Sequence, residues 1–418
     1  MDRKTRAAFI SAYLGWVFDY YEVFLLTFLV LPIRAEFGLS VVQAGWLFSS
    51  QLLSLAVGGI IFGWIADRWG RKPTLVLTIV IYALATFARA FAPNYETMLL
   101  LTIIGGLGIG GEYGVGQSLV SELVPTRRRG FWSGLLYGGC FVGIMLAALV
   151  GGYVTPEIGW RWTFAISGLP VLFALYVRAM SPESEVWERQ ARHAESARRA
   201  WETIWSAAFM VPFAKCLVLA SVYFFAYYGI ATFLPSYLVS QGLTVTKASW
   251  WLFFSGVAGL VGNALGSWLL DRVGRRWTLS ILMVTATLAA VVLATTWSTL
   301  LHSWLILVPF FVLFVGANGA TVFGALFSEA FPTSVRTTGM SGALQVARGL
   351  AFIPPLVVPM VLPLYGYAPI VVVSAAEFLF VGLWVWTFRE TRNVDISEID
   401  EIASQPATQT SGLQRAAG

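Results

Sequence analysis

An all-α membrane protein, twelve spanning helices in two parallel six-helix halves, is the fold class that three features of this chain predict. Of its 418 residues 57% are hydrophobic and only 12% charged, whereas soluble domains carry about 25% charged residues. Apolar runs of about 20 residues recur along it, the length that crosses about 30 Å of hydrocarbon at 1.5 Å per residue. Two polar strings return about two hundred residues later in the same order. No soluble core hides that much apolar surface, and the repeat makes the second half a copy of the first.

Taken in order, the first span covers 9–31 behind the basic start MDRKTR. Its apolar run is too long for a signal peptide and lacks a small-residue cleavage site, so it is a retained helix. Spans follow at 45–66, which ends in the charged string DRWGRK, at 73–92, and at 97–120, which carries glycines at 106, 110 and 114. Glycine every fourth residue is a small-residue stripe for close helix packing. The span at 130–153 carries a second stripe, Gly139, Gly143, Ala147 and Gly151, and 161–179 completes the half. The second half runs 215–238, 248–270, 277–296, 303–327, 338–360 and 367–388. Domain limits follow: 1–180 for the first half, 181–212 for a polar linker, 213–392 for the second half, and 393–418 for a polar tail expected to be disordered. The linker string ESEVWERQARHAESARRAWETIW holds the i, i+4 pairs Glu185–Arg189, Glu188–Arg192 and Glu195–Arg199. It reads as a helix lying along the membrane surface.

Basic residues set the orientation. Of 27 Lys and Arg, 21 fall in the N-terminus, the even-to-odd connections and the tail, and four (Arg34, Arg89, Arg161, Lys247) on the other side. Both termini are therefore expected in the cytoplasm. The net charge of +5 is a topology signal of short clusters rather than a nucleic-acid surface. Cys140 and Cys216 lie in apolar runs and form no disulfide framework.

The string Gly63–Lys72 (GWIADRWGRK) returns as Ser267–Arg276 (SWLLDRVGRR) at an offset of 204, and Glu122-x-x-Pro-Thr-x-x-Arg129 returns as Glu329-x-x-Pro-Thr-x-x-Arg336 at 207. Transporters built of such repeats bind substrate at the midplane between halves. These strings resemble the major facilitator superfamily, whose D-R-x-G-R-[KR] loop follows spans 2 and 8. FDYYE in span 1 resembles the D-x-x-[DE] of aromatic-acid and sialic-acid proton symporters. GIGGEYG in span 4 is similar to sialic-acid and metabolite symporters, and YYGIATFLPSYL in span 7 to niacin-type carriers. FPTSVRTTGM, followed by Ala347-Arg348-Gly349, resembles organic-anion and niacin carriers. The resemblance implies that the Arg348 position faces substrate. It also implies that the loop of Asp67, Arg68, Gly70, Arg71 and Lys72, with its copy at Asp271, Arg272 and Arg275, latches the halves in an outward-facing state, Asp67 lying near the start of span 11.

Ionisable groups inside spans point to chemistry, because each costs roughly 2.5–3.5 kcal/mol at the bilayer centre. Asp19 and Glu22 share one face of span 1 and, with Glu112, are candidate proton carriers; interhelical pairing is the alternative for each. Arg348 stands as the one basic residue well inside a span. Its planar fork matches a carboxylate, supplied either by cargo or by Asp19, Glu22, Glu112 or Glu377. Tyr20, Tyr113, Tyr227, Tyr228 and Glu377 are candidate cavity residues. Gly106–Gly111 fits G-x-G-x-x-G, but it lies within a span and not behind a strand, so no nucleotide site is implied. His193 and His302 show no metal spacing, and no nucleophile and base occur together, which argues against an enzyme. No cofactor is expected. The function expected is proton-coupled uptake of a small organic anion (a monocarboxylate, aromatic acid or sugar acid) by alternating access, in a monomer of the cell inner membrane. Its partners are substrate, protons and the lipid bilayer, with no nucleic acid. The alternatives are an exporter, a carrier of a neutral or cationic compound such as a sugar or drug, or a non-transporting receptor on the same scaffold.

Overall fold

The computed structural model describes residues 3–124, 128–184, 187–188, 206–231, 238, 242, 245–300, 303–332 and 335–392, and every regular element among them is helical. The linker helix expected over 185–205 (apart from 187–188), His193, His302 and the tail from 393 lie outside the described residues. The first half comprises α1 (Arg3–Phe37), α2 (Val41–Trp69), α3 (Arg71–Arg89), α4 (Tyr95–Leu123), α5 (Arg129–Tyr137), α6 (Gly139–Leu149), α7 (Thr155–Ser167) and α8 (Pro170–Met180). The second comprises α9 (Ala207–Ala231), α10 (Val245–Val273), α11 (Arg275–Leu300), α12 (Leu307–Gly316), α13 (Phe323–Ser328), α14 (Arg336–Leu350), α15 (Ile353–Tyr365) and α16 (Ala368–Trp384).

Ten helical stretches among the described residues are long and apolar enough to cross a membrane. Four expected spans differ, for local reasons. The fifth and sixth run together as one stretch, Gly130–Ser167, that turns at Gly159, where φ is 77°. The eleventh is broken, α14 ending at Leu350 and α15 starting at Ile353. Pro354 and Pro355 lie just beyond the break, and a proline disfavours helical backbone before it and removes a backbone donor. The tenth is interrupted as well, α12 giving way to a 3-10 turn at Gly319–Val322 before α13.

Glycine sets how closely the helices approach. A Cβ on Gly58 of α2 would overlap the Leu107 carbonyl of α4, and one on Gly110 of α4 would overlap the Leu55 carbonyl of α2. The two glycine stripes serve different neighbours. Gly106 and Gly110 take α2, and Gly114 takes Ser341 of α14; Gly139, Gly143 and Gly151 take α1 at Tyr13, Val17 and Phe28. At the end remote from the chain termini, Arg161 ties three elements. Its guanidinium meets Glu36 at 2.6 Å, donates to the carbonyls of Ala90 and Ala92 at 3.0 Å each, and lies over Trp160. Hydrogen bonding from Arg161 holds the Glu36 carboxyl below its ordinary range. The clamp is thus fully present above the ordinary carboxylate range and is lost as pH falls through that lowered value.

Two substitutions test the helix spacing. Gly58→Leu should destabilise at the upper end of about 1–3 kcal/mol, because backbone on both helices must shift. Gly45→Ala, with nothing within 4 Å of the added carbon, should be neutral or gain up to about 1 kcal/mol of helix propensity. Thermal unfolding of the purified protein in detergent measures both.

Candidate functional site

Two polar centres stand out, one in the middle of the bundle and one at the end that bears the termini. The middle one begins on α1. Positions i and i+3 are 300° apart on a helix, which leaves 60° between Asp19 and Glu22, and each finds a different partner. Asp19 Oδ2 meets Arg348 Nη1 of α14 at 3.3 Å, with neither side chain exposed. Glu22 Oε1 meets Arg89 Nη1 of α3 at 2.7 Å and accepts from the Thr86 hydroxyl. The single polar stripe expected of this helix is therefore two contacts, one between halves and one within the first half.

Arg348 is held from several sides. Nη1 also donates to Gln345 Oε1 at 3.0 Å, and the guanidinium lies 4.8 Å over Tyr20 and 5.4 Å over Trp16. It sits in the last turn of α14, where the negative end of the helix dipole favours a cation. Its Nε and Nη2, the side-on pair of the fork, make no hydrogen bond of good geometry among the described residues, and neither does the Tyr228 hydroxyl, although that hydroxyl is close enough to interact with the guanidinium. Glu112 lies against Gly15 of α1, where a Cβ would overlap its carboxylate, and both of its oxygens lack a partner among the described residues. Gly15 is one turn from Asp19, so Glu112 borders the same centre. Trp16 lies with its ring centroid 4.2 Å from that of Tyr113, tilted by 37°, and donates to the Tyr137 carbonyl; Tyr227 and Tyr228 are buried on α9.

Three placements correct the sequence-based expectation. Glu377 is half-buried on α16 with no hydrogen bond or ion pair among the described residues, so it is not the counter-charge of Arg348. Glu112 is not that counter-charge either. Arg89, expected near the far membrane edge and outside any site, is fully buried in its pair with Glu22, so Arg348 is not alone among buried bases. The apolar sequence around Arg89 was the available sign.

The second centre is duplicated. Asp67, at the end of α2, accepts at Oδ2 from Thr338 N (2.8 Å) and Oγ1 (2.6 Å) in the first turn of α14, in the other half. Asp271, at the end of α10, accepts at Oδ2 from Phe131 N (3.0 Å) in the first turn of α5, again across the halves. A carboxylate at a helix start satisfies orphan N–H groups and meets the positive dipole end. Gly70 and Gly274, with φ of 111° and 91°, permit the tight turn that follows each aspartate. Behind the aspartates, Arg71 bridges Asp67 (2.9 Å) and Glu122 (3.2 Å), and Arg275 takes Glu329 through Nε (3.0 Å) and Nη2 (2.7 Å). Arg336 approaches Glu122 at 3.6 Å. A third repeated string, not recognised from sequence, completes each copy. Glu183 caps the backbone N–H groups of Arg71 and Lys72 as Glu390 caps those of Arg275 and Arg276, and Ser184 donates to Glu122 as Thr391 donates to Glu329. The signal was present: Glu183-Ser184 and Glu390-Thr391 stand 207 residues apart, the offset of the glutamates they serve. Burial raises the Glu183 carboxyl above its ordinary value despite those donors. Arg68 and Arg272 take no part in these bonds and lie over Trp64 and Trp268.

Asp67→Asn and Asp271→Asn each weaken one cap between halves. Each should shift the balance between closed and open forms of this end by about 1–3 kcal/mol, the usual scale of such couplings. The double variant should shift it further, since the two caps do not touch. Cysteine accessibility at the start of α14 reads the shift, and an unchanged pattern in a folded protein would limit the loop to setting topology.

Comparison with known proteins agrees with this architecture. The Major Facilitator Superfamily profile matches residues 8–354. The niacin transporter of Acinetobacter baylyi is 32% identical, the alignment covering 82% of this chain and 84% of that one. The cis,cis-muconate transport protein of the same species is 30% identical (84% and 86% covered), and the sialic acid transporter of Escherichia coli 28% (90% and 93%). Among solved structures, a proton:xylose symporter with bound 6-bromo-6-deoxy-D-glucose superposes with a TM-score of 0.82 at 17% identity, covering 96% of this chain and 99% of that one. At that identity the likeness is one of fold.

Proposed function

The chain belongs to the Major Facilitator Superfamily, and from that premise we propose that it carries a small organic anion into the cell together with protons, by alternating access across twelve spans. It is a multi-pass membrane transporter rather than an enzyme. In this proposal residues 1–180 and 213–392 rock against each other about the central site. Both termini are cytoplasmic by the bias of the basic residues, so the described form is closed toward the cytoplasm by Asp67 and Asp271.

One observation supports the organic anion above all. Nη1 of Arg348 is engaged by Asp19 and Gln345, while Nε and Nη2 make no hydrogen bond of good geometry among the described residues and have the Tyr228 hydroxyl close by. That side-on pair takes two carboxylate oxygens in parallel bonds. The aromatic surround of Trp16, Tyr20 and Tyr113 suits a planar or ring-bearing acid, in keeping with relatives named for niacin, muconate and sialic acid. Glu112 and Asp19 are the proposed proton carriers. Glu112 has no donor among the described residues to hold a charge, and an unpaired buried carboxylate is too costly to persist. Glu22, already neutralised by Arg89, is assigned the supporting part.

A second reading draws on the Arg348–Asp19 pair itself. If it is permanent, the arginine is structural and the cargo is neutral or cationic, or is exported. Arg348→Ala should weaken binding of the organic acid by about 2–5 kcal/mol, and Arg348→Lys should recover it only in part. Under the anion proposal the pair Arg348→Ala with Asp19→Asn stays defective in binding. Near-normal affinity in that double variant would establish the structural pair instead. Binding is read by thermal shift against a panel of organic acids.

Proton coupling has its own test. In proteoliposomes an inward acid gradient should drive accumulation and a protonophore should abolish it. Glu112→Gln should keep exchange of substrate while losing accumulation, because the shape of the site survives and its proton does not. Accumulation that follows sodium, or that persists in Glu112→Gln, would remove the glutamate from the mechanism.

A further inference from the structure

Where the first half meets the second at the terminus-bearing end, a cavity of about 680 Å³ opens beside the Asp271 cap. Arg128 and Phe131 line it from the first half; Trp268, Arg272 and Arg392 line it from the second. All three arginines are exposed, and the one acid on the wall, Asp271, is already engaged by Phe131 N. Arg272 lies flat on Trp268 at 4.0 Å, and that indole is 50% exposed. Trp268 lies five residues before the end of the membrane-crossing helix α10, a position where an indole turns its apolar body toward acyl chains and its edge toward headgroups. Three guanidinium groups with no ion-pair partner among the described residues thus surround a roomy recess, a lining whose charge and geometry suit a phosphate.

The duplicated copy shows that this recess does not simply come with the repeat. Arg68 lies over Trp64 in the same manner, at 5.2 Å, but there Trp187 donates its indole N–H to the Asp67 carbonyl at 2.8 Å. The residue 207 positions on from Trp187 is Val394, which has no such donor.

We propose that this recess binds the headgroup of an anionic phospholipid of the phosphatidylglycerol type. Arg128, Arg272 and Arg392 hold its phosphate, and its acyl chains run along Trp268. Because the arginines come from both halves, the lipid bridges the seam that the Phe131–Asp271 bond closes and favours the closed form of that end.

The test uses the full-length protein in nanodiscs of phosphatidylcholine, with or without phosphatidylglycerol, read by native mass spectrometry for retained lipid and by thermal midpoint. Wild-type protein should retain phosphatidylglycerol and gain stability from it. A basic residue near an anionic surface contributes on the order of 1 kcal/mol, so retention should fall about fivefold for each arginine removed. Arg272→Gln with Arg392→Gln should therefore lose most of it. Arg128→Gln alone, on the other half, should lose about fivefold and serves if the double variant folds poorly. Arg6→Gln with Arg389→Gln removes the same charge from exposed sites at that end and should bind like the wild type. Equal losses in the two double variants would overturn the proposal in favour of general surface charge. Equal stabilisation by soluble glycerol phosphate in phosphatidylcholine discs would overturn it in favour of a free anion.

Discussion

A charge inside a bilayer has no water to turn to, and the search of each buried charge for a partner governs how these helices meet. Asp19, Glu22, Arg89 and Arg348 lie at 0–3% exposure in the middle of an apolar bundle. Isolated, each would cost several kcal/mol. Paired as Asp19–Arg348 and Glu22–Arg89, they place α14 against α1 across the halves and α3 against α1 within one. The pairing is incomplete, and the incompleteness is informative. Glu112 and two of the Arg348 donors lack partners among the described residues, so pairing within the protein leaves charge at this centre uncompensated, which is the ground of the proposed proton and anion sites.

At the terminus-bearing end the same constraint is met differently. There the arginines Arg71 and Arg275 are packed between carboxylates and carbonyls, and Asp67 and Asp271 spend one oxygen each on a helix start in the opposite half. Most interactions behind the aspartates lie within a half, the Arg336–Glu122 approach at 3.6 Å being one that crosses. Those of the aspartates with α14 and α5 cross the halves as hydrogen-bonded caps. A set of ions within each half thus presents small contacts to the other half, the kind of contact that the proposed two-state closure would break.

The sequence showed the duplication and both aspartates, because a repeated charged string against an apolar background is hard to miss. It did not show Glu183 and Glu390 as partners, although their offset of 207 matches that of Glu122 and Glu329. A two-residue repeat is short, and only the fold brings it back beside the loop it caps. Arg89 is hard to read from the sequence for a related reason. A base near a predicted helix end reads as a topology signal until Glu22, 67 positions earlier, is seen to face it. The break in the eleventh span was legible in Pro354 and Pro355, but its meaning was not, since it matters only because Arg348 ends the helix before it.

By itself, then, the sequence determined the class of protein, the approximate course of its spans, the internal repeat and the short set of ionisable residues that burial makes consequential. Those follow from composition, from run length against bilayer thickness and from the cost of charge in hydrocarbon. The tertiary structure alone decided which charge meets which. Asp19 and Glu22 differ by only 60° on one helix, yet one looks across to Arg348 and the other back to Arg89. Helix rotation and close approach choose between such partners, and both are set by glycine contacts such as Gly15 against Glu112, between residues far apart in the chain.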